Sequence, residues 1–167
     1  MQDAAALWPD VVISQVYGGG SDRDAPYTND VVELFNRATS PVSLSGMSVQ
    51  YASATGTGNF GANPVVLLSG VIAPGQYYLV QQGGGADGVA LPAPDATGTA
   101  SMSATAGKVA LVASPTGLAC NGGSTPCSPA QLALIKDLVG YGAANFFEGV
   151  AAVPDLSNTT AALRLSN

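Results

Sequence analysis

Apolar and polar residues alternate with a period of two through several short segments of the chain, which is the pattern of strands with one buried face. We expect strands at residues 11–17, 31–36, 47–52, 65–68, 76–81, 108–113 and 135–141, with 159–165 as a last candidate. In the first segment, strict alternation places on one face Val12, Ser14 and Val16, and on the other Val11, Ile13, Gln15 and Tyr17.

Turn residues separate these segments and suggest how the strands pair. We expect segments 31–36 and 47–52 to lie antiparallel, and segments 65–68 and 76–81 to form a hairpin. In the second connection, Pro74-Gly75 fits the central positions of a type II turn.

Two other stretches have distinct local signals. Residues 18–24, Gly-Gly-Gly-Ser-Asp-Arg-Asp, are expected to be an exposed loop. Ser128-Pro129 predicts the start of a helical turn that ends at Leu134, because Pro favours the first helical position.

Seven or eight short strands, roughly, with Gly and Pro turns between them, predict an all-β fold, namely an antiparallel β-sandwich with long Gly/Pro/Ala-rich loops and at most one short helical turn. A closed barrel is the alternative. The 167 residues suffice for one hydrophobic core. We expect residues 1–10 to be disordered, or a start left by a removed leader, and residues 11–167 to form a single domain.

The net charge and the hydropathy of the chain limit the classes of partner that this domain could bind. Eleven Asp and Glu against five Lys and Arg give a net charge of −6, which repels a phosphate backbone and argues against direct nucleic-acid binding. No apolar run approaches the roughly 20 residues of a membrane-spanning helix, so we expect no transmembrane segment.

The two cysteines, Cys120 and Cys127, enclose Asn-Gly-Gly-Ser-Thr-Pro, which favours a chain reversal. Two thiols without a histidine provide too few ligands for a structural metal site, and a redox pair is usually spaced more tightly. We therefore expect a disulfide that fixes the shape of one loop, and with it an oxidising, secreted, extracellular or periplasmic location.

Catalytic machinery is sparse in this sequence. Without histidine the chain lacks the commonest general base and zinc ligand, and it contains neither a Gly-x-Ser-x-Gly elbow nor a phosphate-binding Gly-Lys-Ser/Thr loop. Residues 56–61 match Gly-x-Gly-x-x-Gly, but a strand follows them instead of the required helix, so we interpret them as a flexible loop. We predict that the chain is not an enzyme and needs no cofactor.

Carboxylates remain as the alternative chemistry. Asp22, Asp24 and Asp30 could offer hard oxygen ligands to calcium, or to the metal of a hydrolase. Turn formation by Asp is the simpler interpretation, because the regular ligand spacing of an EF-hand is missing and Arg23 lies between two of the acids.

Two further sets of residues are predicted to matter. Glu33 lies among apolar strand residues, so it is either exposed to solvent beside Arg37 or partly buried and paired with a distant base such as Arg164, and we expect the second arrangement. Tyr27, Phe146 and Phe147 are aromatic residues at loop positions, where a partner surface is a reasonable prediction.

Several short stretches resemble the bacterial lamin tail domain. They are Val12–Gly20, Glu33–Asn36, Pro41–Gly46, Ile72–Val80, Asp137–Gly142, Phe147–Gly149 and Ala162–Arg164. The resemblance implies an immunoglobulin-like sandwich and a non-catalytic module. Two departures from the family pattern are Met47, where Trp is usual, and an end at Asn167 before the usual acidic tail, so that a closing strand could be missing.

The same resemblance implies a role. In that family the module often accompanies a secreted nuclease or phosphoesterase domain, and tethering to a surface has been suggested. We therefore expect an accessory module whose partners are an attached catalytic domain and a cell-envelope or glycan surface. A metal-dependent hydrolase and a purely structural spacer are the alternatives.

Overall fold

The computed structural model describes residues 9–165. Its strands are β1 Val11–Tyr17, β2 Asn29–Asn36, β3 Val42–Ser43, β4 Ser48–Ser53, β5 Val66–Leu67, β6 Val71–Ile72, β7 Tyr77–Gly84, β8 Ala96–Thr97, β9 Gly107–Val112, β10 Ile135–Tyr141 and β11 Ala162–Leu163. Helix α1 spans Pro129–Leu134, and a 3-10 turn spans Phe60–Ala62. Most of the predicted leader, residues 1–8, lies outside the described residues, as do residues 166–167.

The strands form a β-sandwich. One sheet has five strands in the order β11-β1-β2-β7-β8, the other has four in the order β10-β9-β4-β5, and β3 pairs with β6. Neighbouring strands are antiparallel except β7 and β8, which are parallel. This architecture confirms the predicted immunoglobulin-like all-β fold. Within residues 9–165, no helix has the length and hydrophobicity that crossing a bilayer requires.

The main core is formed by apolar side chains from both sheets. Its fully buried members include Val16, Val32, Leu34, Leu44, Val49, Val80, Val109, Leu111 and Tyr141. Met47 is partly buried against this cluster.

A second apolar cluster covers the other face of the four-stranded sheet, and we call it the outer cluster. Val109 and Leu111 of β9 belong to the main core, whereas the alternate residues Ala110 and Val112 belong to the outer cluster. Its other members are Ala52, Phe60, Leu118, Cys120 and Leu138, with Cys127, Leu134, Ile135 and Phe146 packed against them. This sheet is therefore buried on both faces.

The bounds of β1 and β10 are as predicted, but strict alternation along β1 is wrong. The register of β1 against β2 shifts between Ile13 and Gln15, which is the irregularity of a β-bulge. As a result Val11, Ile13 and Val16 all face the main core.

The predicted strand pairings are also wrong. β2 pairs with β1 and β7, whereas β4 pairs with β9 and β5 in the other sheet. The type II turn is present, because Gly75 has a φ of 71° and the Gln76 N–H donates to the Ala73 carbonyl over 3.1 Å. However, it joins β6 to β7 and closes no hairpin.

The predicted helix start at Ser128-Pro129 is confirmed, whereas the predicted exposure of the loop at residues 18–24 is only partly correct. Ser128 Oγ accepts from the Gln131 N–H over 3.3 Å, and Gln131 Oε1 accepts from the Ser128 N–H over 2.8 Å, so α1 begins with a capping box. In the loop at residues 18–24, Gly18 and Gly19 are buried instead of exposed. A Cβ at Gly18 would lie 2.3 Å from the Ser103 carbonyl oxygen, so the close approach requires glycine.

Candidate functional site

One group of charged side chains ties the two sheets together at their open edge, and we call it the edge cluster. Asp137 of β10 is 4% exposed. Its Oδ1 and Oδ2 accept from Arg164 Nη2 over 2.8 and 2.9 Å, and Oδ2 also accepts from the Ile13 N–H over 2.6 Å. Glu148 Oε2 lies 3.5 Å from the same Arg164 nitrogen. The Arg164 guanidinium therefore forms ion pairs with two carboxylates, those of Asp137 and Glu148.

Backbone pairing places Arg164 at this edge. β11 pairs with β1, and directly after it the Arg164 N–H donates to the Ser14 carbonyl over 2.8 Å. Arg164 Nε then donates to the Ile13 carbonyl over 3.0 Å, so the side chain crosses β1 towards β10. The arginine is held by the five-stranded sheet and binds an acid of the four-stranded sheet.

Beside the edge cluster lies a groove of about 330 Å³, which we call the edge groove. Backbone and side chains of β1, β10, β11 and residues 148–153 line it, and Glu148 and Arg164 are its charged members. Leu163, which lines it, is 65% exposed, and Val150 between the lining residues Gly149 and Ala151 is fully exposed. The groove is thus an apolar, accessible surface, of the size of many ligand sites.

A polar cavity of about 610 Å³ lies at the ends of β2 and β7. It is lined by glycines and hydroxyl-bearing residues, together with Asp22 and the buried Asp30 and Gln82. Asp30 Oδ1 accepts from the Gly20 N–H over 2.9 Å, and its Oδ2 accepts from the Met102 N–H over 2.7 Å. This carboxylate therefore holds two loop segments in place.

Burial dominates the pKa of both buried aspartates. Burial raises the pKa of Asp30 to about 6, although the Met102 and Gly20 N–H groups oppose the shift. Burial also raises the pKa of Asp137, and a hydrogen bond with Glu148 raises it further, while the positive charge of Arg164 acts against both. Each acid therefore holds its proton more tightly in the folded chain than in the unfolded chain.

We expect the protein to lose stability as the pH rises from about 4 through about 6. The folded chain binds more protons than the unfolded chain in this interval, because an Asp in an unfolded chain has a pKa of about 3.9. Urea unfolding at pH 5 and at pH 8 measures the effect, and the midpoint should be lower at pH 8.

Two variants distinguish the contribution of a buried aspartate to this pH dependence from the contribution of general charge repulsion. Asp30→Asn should reduce the difference between the two midpoints, whereas Asp155→Asn, which removes an exposed charge, should leave it unchanged. A midpoint that rises with pH, or equal behaviour of the two variants, would contradict the assignment.

The predicted metal ligands do not form a site. Asp24 is 84% exposed in its side chain and lies 3.7 Å from Arg23 Nε, while Asp30 is buried and already accepts two backbone N–H groups. Asp22 and Asp30 border the polar cavity, but Asp24 is not part of its lining. Across residues 9–165, no group of three or more His, Cys, Asp or Glu side chains is placed to hold a metal.

The predicted ion pair between Glu33 and Arg164 is wrong. Glu33 Oε1 accepts from Ser14 Oγ over 2.7 Å, whereas Arg164 binds Asp137 and Glu148. The reason is that Glu33 alternates with the core residues Val32 and Leu34 and points to the opposite face of β2.

The loop aromatic residues occupy separate places. Tyr27 packs edge-on against Tyr17 with ring centroids 6.1 Å apart, and is 39% exposed. Phe146 is half-buried and belongs to the outer cluster, and Phe147 lies beside Gly140 of β10. The three residues therefore have different packing partners, and their role in binding stays a prediction.

The predicted disulfide between Cys120 and Cys127 is confirmed, with a Cα–Cα distance of 5.0 Å. Near it lies a residue that the sequence reasoning missed. Lys108 of β9 is completely buried, and its Nζ donates to the Asn121 carbonyl and to Asn145 Oδ1, each over 2.9 Å. Burial lowers the pKa of this lysine.

Comparison with known proteins gives the family. The lamin tail domain model matches residues 5–125, and the chain belongs to this family of immunoglobulin-like domains. The crystal structure of a DUF4876 family protein from Bacteroides thetaiotaomicron VPI-5482 is similar in fold, with a TM-score of 0.50 and 13% sequence identity over 80% of this chain. The match covers 53% of that protein, so the chain spans about half its length. No curated protein matches by sequence.

Lamin tail domains are generally structural, non-catalytic modules. Family membership therefore agrees with the immunoglobulin-like architecture of residues 9–165 and gives the chain a general class.

Proposed function

We propose that this chain is a non-catalytic module of a secreted protein, and that it positions an attached extracellular nuclease or phosphoesterase by binding a cell-envelope or glycan surface. The observation that carries the proposal is the use of the buried carboxylates by the fold. Asp30 holds Gly20 and Met102, and Asp137 holds Ile13 and Arg164. The carboxylate oxygens of both residues are therefore occupied by hydrogen bonds that stabilise loops and connect the two sheets.

Two further features support the module in that setting. The disulfide between Cys120 and Cys127 is of the kind that persists in oxidising compartments outside the cytosol. The edge groove offers an accessible apolar surface on a domain whose other side chains are mostly small and uncharged. Such a surface suits recognition better than turnover.

The catalytic half of the proposal is tested with the purified chain. We expect no cleavage of DNA or of a phosphodiester ester above the buffer control when calcium, magnesium or manganese is added. Metal-stimulated cleavage that disappears in the Asp22→Asn/Asp24→Asn variant would overturn the proposal, because both acids are exposed and Asn tolerates the left-handed backbone that Asp24 adopts.

The binding half is tested by sedimentation with isolated bacterial envelopes and with purified peptidoglycan. We expect saturable binding by the folded chain, and none by the chain after reduction and unfolding in urea. Absence of binding to either material would refute the tethering role.

A further inference from the structure

The contact between the buried Lys108 and the exposed Asn145 is the feature that the proposed function leaves unexplained. Lys108 is the second residue of β9, and its side chain is fully removed from solvent beside Asn121 of the disulfide loop. Its partners within residues 9–165 are two neutral oxygens, and it has no carboxylate within salt-bridge distance. A buried ammonium without a counter-ion is costly, so this environment favours the neutral amine.

The neutral amine faces a suitable electrophile. Nζ lies 2.9 Å from Asn145 Oδ1, and the carboxamide carbon is about 1.2 Å behind that oxygen. Nζ is therefore within about 3 to 4 Å of the carbon, which approaches the separation of reacting atoms in a near-attack geometry.

Both groups are also held in place. Nζ donates to the Asn121 carbonyl, and the Asn145 backbone N–H donates to the Ala54 carbonyl over 3.1 Å. Held reactants meet at high effective concentration, which replaces much of the cost of bringing them together.

We propose that Lys108 and Asn145 form an intramolecular isopeptide bond, which makes this pair an autocatalytic modification site. Lys108 Nζ attacks Cγ of Asn145, a C–N bond forms, and the bond from Cγ to Nδ2 breaks. One proton moves from Nζ to Nδ2, and ammonia leaves. Nothing is oxidised or reduced, and no co-reactant is consumed.

The surroundings accommodate each part of this reaction. Asn145 is an exposed residue, so solvent can carry the proton to Nδ2 and the ammonia can escape. The product amide retains one N–H, which keeps the hydrogen bond to the Asn121 carbonyl, and the cost of a buried charge disappears. No carboxyl among the described residues contacts the pair, so we expect a slow reaction driven by proximity and desolvation.

The bond would add a second covalent link near the disulfide. The disulfide closes the loop at residues 120–127, whereas the isopeptide bond would join β9 to the loop that follows β10. Together they would hold the outer cluster against the four-stranded sheet.

Mass spectrometry tests the proposal on the native chain. After folding and incubation at pH 8, the reduced protein should weigh about 17 Da less than its sequence, the mass of one ammonia. Cyclisation of Gln2 after removal of Met1 would give the same loss, so peptide mapping is decisive. Trypsin should fail to cut after Lys108, and segment 38–136 should remain joined to segment 137–164.

Variants identify the two partners. Lys108→Met and Asn145→Ala should each abolish the joined species, whereas Lys136→Met, which removes an exposed lysine, should retain the ammonia loss and a link between residues 108 and 145. Normal tryptic cleavage after Lys108 in the native chain, with separate peptides on either side, would overturn the proposal even if the variants fail to fold.

Discussion

Arg164→Ala is expected to destabilise the protein by about 3 to 5 kcal/mol at pH 8. The substitution leaves the carboxylate of Asp137 buried at 4% exposure with only the Ile13 N–H as its direct donor. Because small domains have a free energy of unfolding of about 5 to 15 kcal/mol, this loss is a large share of the total. Urea unfolding followed by circular dichroism measures it.

The pH dependence of this loss is diagnostic. At pH 5, Asp137 without its arginine can take up a proton, so the destabilisation should be smaller than at pH 8. Arg23→Ala is the control, because Arg23 and Asp24 are 94% and 84% exposed in their side chains and surface pairs contribute at most about 1 kcal/mol. Equal effects of the two substitutions would show that the edge cluster does not join the sheets.

Phe60→Ala is expected to cost about 3 to 5 kcal/mol, the usual range for a buried aromatic residue. Phe60 is completely buried in the outer cluster, and its backbone N–H donates to the Cys120 carbonyl over 3.0 Å. Removing the ring leaves a cavity between the four-stranded sheet and its covering loops. Thermal unfolding by calorimetry measures the change.

A matched control uses an apolar residue near the same cluster. Leu132 of α1 is 45% exposed, so Leu132→Ala should change the stability by less than about 1 kcal/mol. If Phe60→Ala changed the stability as little as Leu132→Ala does, the packing of the outer cluster would contribute little to the stability of the fold.

The sequence predicted the strands better than it predicted their partners. Alternation gave β1 and β10 with correct bounds, since it depends on each strand's own buried face. Pairing depends on which sheet a strand joins, and sequence neighbours were a poor guide because the chain changes sheets between β2 and β4 and again between β5 and β7. The bulge at Ser14 carries no local Gly or Pro signal, so the faces beyond it were wrong.

The buried charges were predictable in part. Lys108 alternates in phase with Ala110 and Val112, and Asp137 alternates in phase with Val139 and Tyr141. A charged residue in an apolar row is a signal of burial with a partner, and it could have marked both. Their partners, Asn145 and Arg164, could not be found this way because the folded backbone alone brings them near.

The pairing of the first and last strands determines where the chain enters and leaves the domain. Gln15 and Val16 of β1 lie opposite Leu163 and Ala162 of β11 in antiparallel register, so residues 9 and 165 emerge from the same end of the sheet. At about 3.3 Å per residue, these two points are separated by only on the order of 10 Å. If the chain continues on both sides, this domain would add almost nothing to its end-to-end length, because the two attachment points lie close together. A pulling force applied at residues 9 and 165 would separate β11 from β1 by breaking their hydrogen bonds one after another, starting at Arg164.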